Sequence, residues 1–226
     1  MHDEFLKLVP AYLYERSGKV FYSGRSAFEG KRSLYLLGLN PGGDPVRQAE
    51  ETISRSIVTA KARPEDDWSA YADESWRGRA PGTATLQPRV LHLLKRVGYD
   101  ARRVPASNVV FVRSSRESDL ARDKPTLLRA CWPVHDQVIR ALGVAVVACM
   151  GGAAGAWARE MLSAHEPVEH WSEDNGRRWT SCTHQAPSGI QVVTLTHPSI
   201  AAWNSHGADP SALVVSALRR AESPNQ

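Results

Sequence analysis

The feature that most constrains this chain is an apolar run that stops in a Gly/Pro-dense turn. Leu34-Tyr35-Leu36-Leu37 leads into Gly38-Leu39-Asn40-Pro41-Gly42-Gly43-Asp44-Pro45. Four large apolar residues in succession predict a strand covered on both faces, and a strand of that kind belongs to a largely parallel sheet with helices above and below it. In open α/β sheets the ligand sits beyond the carboxyl ends of the strands, so Asn40, the polar side chain in this turn, is a site candidate. A second run, Ile190-Gln191-Val192-Val193-Thr194-Leu195, ends in Thr196-His197-Pro198-Ser199 and brings His197 to the same kind of position.

Strands are predicted over about 33–39, 107–113, 144–150 and 190–196, and residues 177–182 are a further strand candidate. The intervening patterns predict helices through Val90–Leu94, over about 125–142, 152–163 and 209–221, with Pro133 bending or interrupting the second of these. Asp209-Pro210 reads as an N-cap followed by a first-turn proline. The expectation is a three-layer α/β/α sandwich around a mostly parallel sheet of four or five strands, in one domain spanning 1–226. It carries a long variable segment, 41–84, rich in Arg, Asp, Glu, Ser and Trp, and a frayed tail, 222–226.

With 28 Lys+Arg against 24 Asp+Glu, the net charge of +4 makes a nucleic-acid partner worth testing without demanding one. Arg113 and Arg116 flank the second predicted strand and are candidates for DNA contact, the alternative being a solvated face. Three scattered cysteines, Cys131, Cys149 and Cys182, suit a reducing compartment and give no zinc-like spacing. No apolar run approaches a membrane span, and a basic segment followed by a long apolar one is missing at the start, so a cytoplasmic, non-secreted protein is expected.

Several motifs fail on chemistry. Gly38 and Gly43 have P-loop spacing, but Asp44-Pro45 stands where Lys and Ser/Thr are required. Gly151-Gly152-Ala153-Ala154-Gly155 imitates a dinucleotide loop without its first glycine, and close packing of helix on sheet accounts for the small residues. Cys182 and His184 have no second ligand pair, and a Gly-x-Ser-x-Gly elbow is missing. Asn108, at the start of the strand run Ser107-Asn108-Val109-Val110-Phe111-Val112-Arg113, is either a structural cap or a reader of an amide-like ligand.

Taken together, these motifs resemble the uracil-DNA glycosylase superfamily. Gly38-Leu39-Asn40-Pro41-Gly42 is similar to the Gly-x-Asn-Pro-Gly first motif of the mismatch-specific and single-strand-selective types, and His197-Pro198-Ser199 to their second motif. Ser107–Val110 resembles the Thr-Asn-Val-Val strand of the iron–sulfur types, and Val146–Ala154 their following strand and helix. The similarity runs in order from about residue 33 to 205. Of the four cluster cysteines only Cys131 aligns with one, so no iron–sulfur cluster, metal or other cofactor is expected.

The resemblance implies a monofunctional DNA glycosylase of base excision repair, acting as a monomer on DNA that contains uracil, hypoxanthine or xanthine. It implies that Asn40 orients the attacking water and His197 stabilises the leaving base. Asn108, with the backbone at Gly42 and Gly43, would read the base. Ser199 would hold a phosphate, and Ile200 or Trp203 would fill the gap left by the flipped base. Trp68, Tyr71 and Trp76 are candidates to stack on that base, and Asp44 is a rival to Asn40. The competing expectation is a nucleic-acid-binding or nucleotide-binding protein of the same fold without catalysis.

Overall fold

The computed structural model describes residues 1–84, 86–120 and 122–222. Six strands form one sheet in the order β2-β1-β3-β6-β5-β4: β1 Leu34–Gly38, β2 Ala106–Asn108, β3 Val146–Met150, β4 Glu166–Ser172, β5 Thr180–Gln185 and β6 Gln191–Leu195. β2, β1, β3 and β6 are parallel, whereas β5 and β4 extend the sheet as an antiparallel hairpin. Among the described residues six α-helices accompany them: α1 His2–Lys7, α2 Ile53–Ala62, α3 Leu86–Arg96, α4 Lys124–Leu142, α5 Gly152–Leu162 and α6 Ser211–Glu222.

Strand period 2 divides the apolar residues of each parallel strand between two cores. Leu34 and Leu36 of β1 pack with Val146 and Ala148 of β3 under α3 and α6. Tyr35 and Leu37 pack with Val147 and Cys149 under α1, α2, α4 and α5. The result is an α/β sandwich with helices on both faces of the sheet, one more strand wide than the largest sheet expected from the sequence. The extra strand, β4, is polar and mostly exposed, as an edge strand tolerates, and a register irregularity between Pro167 and Glu169 marks it. Its Glu-Pro-Val-Glu-His-Trp-Ser sequence carries no strand-like apolar pattern.

The second predicted strand is shorter than expected. Only Ala106–Asn108 joins the ladder; Val109 and Val110 then follow the turn after β1, donating to the carbonyls of Gly38 and Leu39, both at 2.9 Å. On its other side this segment meets residues 18–21 through bridges Gly18 to Val112 and Phe21 to Ser107. α4 runs without interruption through Pro133 and ends at Gly143 in the left-handed conformation. α6 starts at Ser211, whose N–H donates to Asp209 Oδ1 at 2.9 Å.

The 41–84 segment is anchored on residues 16–24. Gly18 and Ile53 bond to Glu51 and Arg16 carbonyls, and Ala70 donates to the Tyr22 carbonyl. Ile53, Ile57, Tyr71 and Ala70 are buried.

Below the sheet, Tyr35 Oη lies 2.8 Å from His135 Nδ1, and burial pushes the His135 imidazole down to about 3. Because the unfolded ring takes up its proton near 6.5 and the folded one does not, the folded state loses stability as pH falls from about 6.5 toward 3. One such group gives a slope of about 1.4 kcal/mol per pH unit in that window. Urea unfolding of wild type and His135→Gln at several pH values checks this; the variant should lack about one proton's worth of that slope.

Candidate active site

β1 and β3 lie side by side, while the chain goes from β1 to β2 on one flank and from β3 through α5 to β4 on the other. Their carboxyl ends therefore form a topological switch point, where an open α/β sheet has room for a ligand. Asn108 ends β2, Asn40 follows β1, Gly151 follows β3 and His197 follows β6. At about 4.8 Å per strand, the ends of β1 and β6 are roughly 10 Å apart.

Two glycines let the outer side chains lean over the middle strands. A Cβ on Gly38 would fall 2.1 Å from Asn108 Oδ1 and 3.6 Å from Met150 Cε. On Gly151, at φ +109°, it would meet the His197 ring at 3.2 Å. Asn108, Gly38, Met150, Gly151 and His197 thus make a row along the strand ends from β2 to β6.

Asn108 and His197 are the polar groups of this row, and Asn40 stands in the turn that follows β1. Asn40 is half-buried, and its Nδ2 donates to the Pro41 carbonyl at 2.8 Å and to Ser114 Oγ at 2.9 Å. A carbonyl only accepts, and Ser114 Oγ already donates to the Arg116 carbonyl, so the amide orientation is fixed and Oδ1 is left as an acceptor. Asn108 is 7% exposed, its Oδ1 lies over Gly38, and the Tyr22 phenol is its hydrogen-bonding neighbour. A buried amide needs partners for both of its functions, and the Tyr22 phenol serves only one of them.

At His197, the Ser199 backbone N–H donates to Nδ1 at 3.1 Å, with Ser199 Oγ at 2.7 Å from the same nitrogen. A backbone N–H can only donate, so Nδ1 is the acceptor and the neutral ring carries its proton on Nε2. Burial lowers the His197 pKa below the usual histidine value, which keeps the ring neutral near pH 7. Nε2–H is then a donor without a partner among the described residues. The ring borders an open cleft of about 340 Å³ lined by Gly151, Gly152, Trp179, Thr196 and Ile200.

No family model matches the chain, and no curated protein matches it. The remaining assignments therefore rest on geometry. Gly42 is exposed, its carbonyl held by Arg113 Nη1 at 2.5 Å, and Gly43 has φ +119°. The N–H groups of both donate to no described residue. Asp44 is engaged as a turn cap, its Oδ1 accepting from the N–H groups of Val46 and Arg47. Ser199 is exposed and occupied with His197.

Two sequence-based candidates for DNA contact turn inward. Trp203 is 0% exposed and its Nε1 donates to the Thr196 carbonyl at 3.0 Å, so it anchors the His197 turn from beneath instead of entering DNA. Ile200, 56% exposed, is left as the apolar tip. Arg113, 8% exposed, pairs with Glu51 at 2.7 Å and holds Gly42 and Ser17, so it braces the Asn40 loop. Arg116 is exposed.

Among the aromatic candidates, Tyr71 and Trp68 are buried and Trp76 half-buried. Two of them flank Tyr22, which stacks on Tyr71 at 5.9 Å and meets Trp76 edge-on at 6.4 Å. Sequence reasoning missed Tyr22, the aromatic residue beside Asn108: burial raises its phenol pKa, while Arg113 and hydrogen bonding to Asn108 act the other way. The Val20-Phe21-Tyr22 stretch was the available signal, a short apolar run whose Tyr22 takes the opposite face from Phe21. Lys19, paired with Glu74 at 2.6 Å, lies 4.8 Å from the Tyr22 ring. A cavity of about 210 Å³ lined by Lys19, Trp68, Glu74 and Arg113 adjoins this cluster and contains none of Asn40, Asn108 or His197.

The small residues at the start of α5 have the packing role that close approach requires. A Cβ on Gly155 would fall 2.2 Å from Thr194 Oγ1 on β6.

Proposed function

We propose that the protein is a monofunctional DNA glycosylase of the uracil-DNA glycosylase superfamily. It would hydrolyse the N-glycosidic bond of a deaminated base, uracil foremost, flipped out of DNA. The observation that carries this reading is the buried Asn108 amide on the same strand-end row as the Nε2–H of a neutral His197.

In this reaction a water attacks C1′ as the C1′–N bond breaks, and the bonding electron pair leaves with the base. His197 Nε2–H donates to the base O2, where the negative charge gathers. Asn108 accepts from N3–H and donates to O4, a pattern that cytosine inverts, so the wrong base leaves buried groups unpaired. Asn40 Oδ1 orients the water. An amide does not act as a true base, so the water's proton ends on the departed base. No membrane role competes with this reading from the helices: among the described residues none is long and apolar enough to cross a membrane.

The test is the appearance of alkali-labile sites in single- and double-stranded oligonucleotides carrying uracil, hypoxanthine or xanthine. Wild type should release uracil. Asn108→Asp should lose most of its selectivity for uracil over cytosine while keeping the fold, and Asn40→Ala should slow release. DNA binding with no abasic product on any lesion would instead favour a binding protein without catalysis.

A further inference from the structure

The β4–β5 hairpin lies beyond the four parallel strands whose ends carry the motif residues, yet its tip comes back to the His197 cleft. Trp179, immediately before β5, is 37% exposed and lines that cleft together with Ile200 and His197. The Arg177 guanidinium lies 4.5 Å from the Trp179 ring centroid, and its Nη1 donates to the Ile200 carbonyl at 2.7 Å.

Arg177 is itself held by Glu173, a fully buried carboxylate 2.9 Å from Nη2 and 3.1 Å from Nε. Glu173 Oε2 also accepts from Asn175 Nδ2 at 2.8 Å, while its Oε1 has no partner among the described residues; through Arg177 it ties the hairpin tip to the Ile200 carbonyl beside the His197 turn. The fold thus leaves two large apolar side chains partly exposed beside the His197 turn. Exposed Arg178, at φ +53°, and Arg89, whose guanidinium bonds the Pro198 carbonyl, add positive charge around them. Asp174 is an exposed acid at the tip of the same hairpin, and Glu166 is exposed at the start of β4.

An exposed indole, a neighbouring isoleucine and surrounding guanidinium groups are the components of a stacking platform for single-stranded nucleic acid. We propose that Trp179 and Ile200 bind an unpaired base of single-stranded DNA next to the nucleotide held at His197. Its placement relative to the excised base rests on the glycosylase reading; the platform's affinity for an undamaged strand does not. In a duplex the neighbouring base is already stacked and paired, so the platform contributes only to single strands.

The experiment measures fluorescence anisotropy of a short, undamaged, labelled oligothymidylate and of the same strand in a duplex, at one fixed salt concentration. Wild type, Trp179→Ala and Trp179→Phe are compared. Trp179→Ala should bind the single strand roughly five- to hundredfold more weakly, the range for losing one base–aromatic stack, with Trp179→Phe recovering most of it and duplex binding nearly unchanged.

Single-strand affinity unchanged in Trp179→Ala, an equal loss on both forms, or no saturable binding by wild type would overturn the proposal. The last result would leave the exposed pair to a protein partner. These strands hold nothing to excise, so the two readings fail separately. An active glycosylase with unaltered Trp179→Ala binding loses only the platform, and an inactive protein that shows the loss loses only the glycosylase.

Discussion

His197→Ala should slow single-turnover release of uracil by about 10²–10³, the equivalent of roughly 3–4 kcal/mol, while binding of the uracil-containing strand changes only a few-fold. The asymmetry follows from where the histidine acts. Its Nε2–H is a preorganised donor, fixed by the Ser199 N–H on the opposite nitrogen, and it meets substantial charge only as the base leaves. Because burial lowers the ring's pKa, protonation of His197 should leave the rate level from pH 8 down to about 6.5 and affect it only at lower pH. A rate profile measured at constant ionic strength checks both points. Equal losses in binding and rate would mean that the residue holds substrate without favouring the transition state.

Trp203→Ala should destabilise the fold by about 3–5 kcal/mol, the range for removing a fully buried large aromatic. The indole is enclosed with Val193, Leu195, Leu213 and Val214 between β6 and α6, and its N–H satisfies the Thr196 carbonyl one residue before His197. Trp203→Phe keeps most of the apolar volume and loses that bond, so it should cost less stability but still loosen the histidine turn. Urea unfolding of the three proteins measures the first effect, and release of uracil measures the second. A loss below about 1 kcal/mol in Trp203→Ala would return this residue to the surface, as a candidate for insertion into DNA.

The parallel part of the sheet was legible because its strands are buried on both faces and write themselves as continuous apolar runs: Leu34–Leu37, Val146–Met150 and Val192–Leu195. The turns after them were legible for the same reason, since Asn40 and His197 interrupt those patterns at strand ends. β4 was not, because an edge strand exposed along most of its length needs no apolar alternation. Residues 17–23 pair only through isolated bridges, a contact set by the partner segment and invisible in local pattern, and Tyr22 was missed with them. Arg113 and Trp203 show a different gap. Both residue types serve either solvent or core, and only Glu51 and the Gly42 carbonyl, or the enclosure under α6, reveal which. Pro133 left α4 unbroken because one missing N–H is tolerable in a long helix whose buried face packs on the core.

The most direct measurement is a crystal structure with a single-stranded oligonucleotide carrying a non-hydrolysable 2′-fluoroarabino-uridine. The account predicts the uracil flipped into the β1–β3 switch point, O2 within hydrogen-bond reach of His197 Nε2, N3 and O4 on the Asn108 amide, and a water on Asn40 Oδ1. A strand bound with its uracil outside this row, or with Asn108 and His197 contacting different nucleotides, would contradict it.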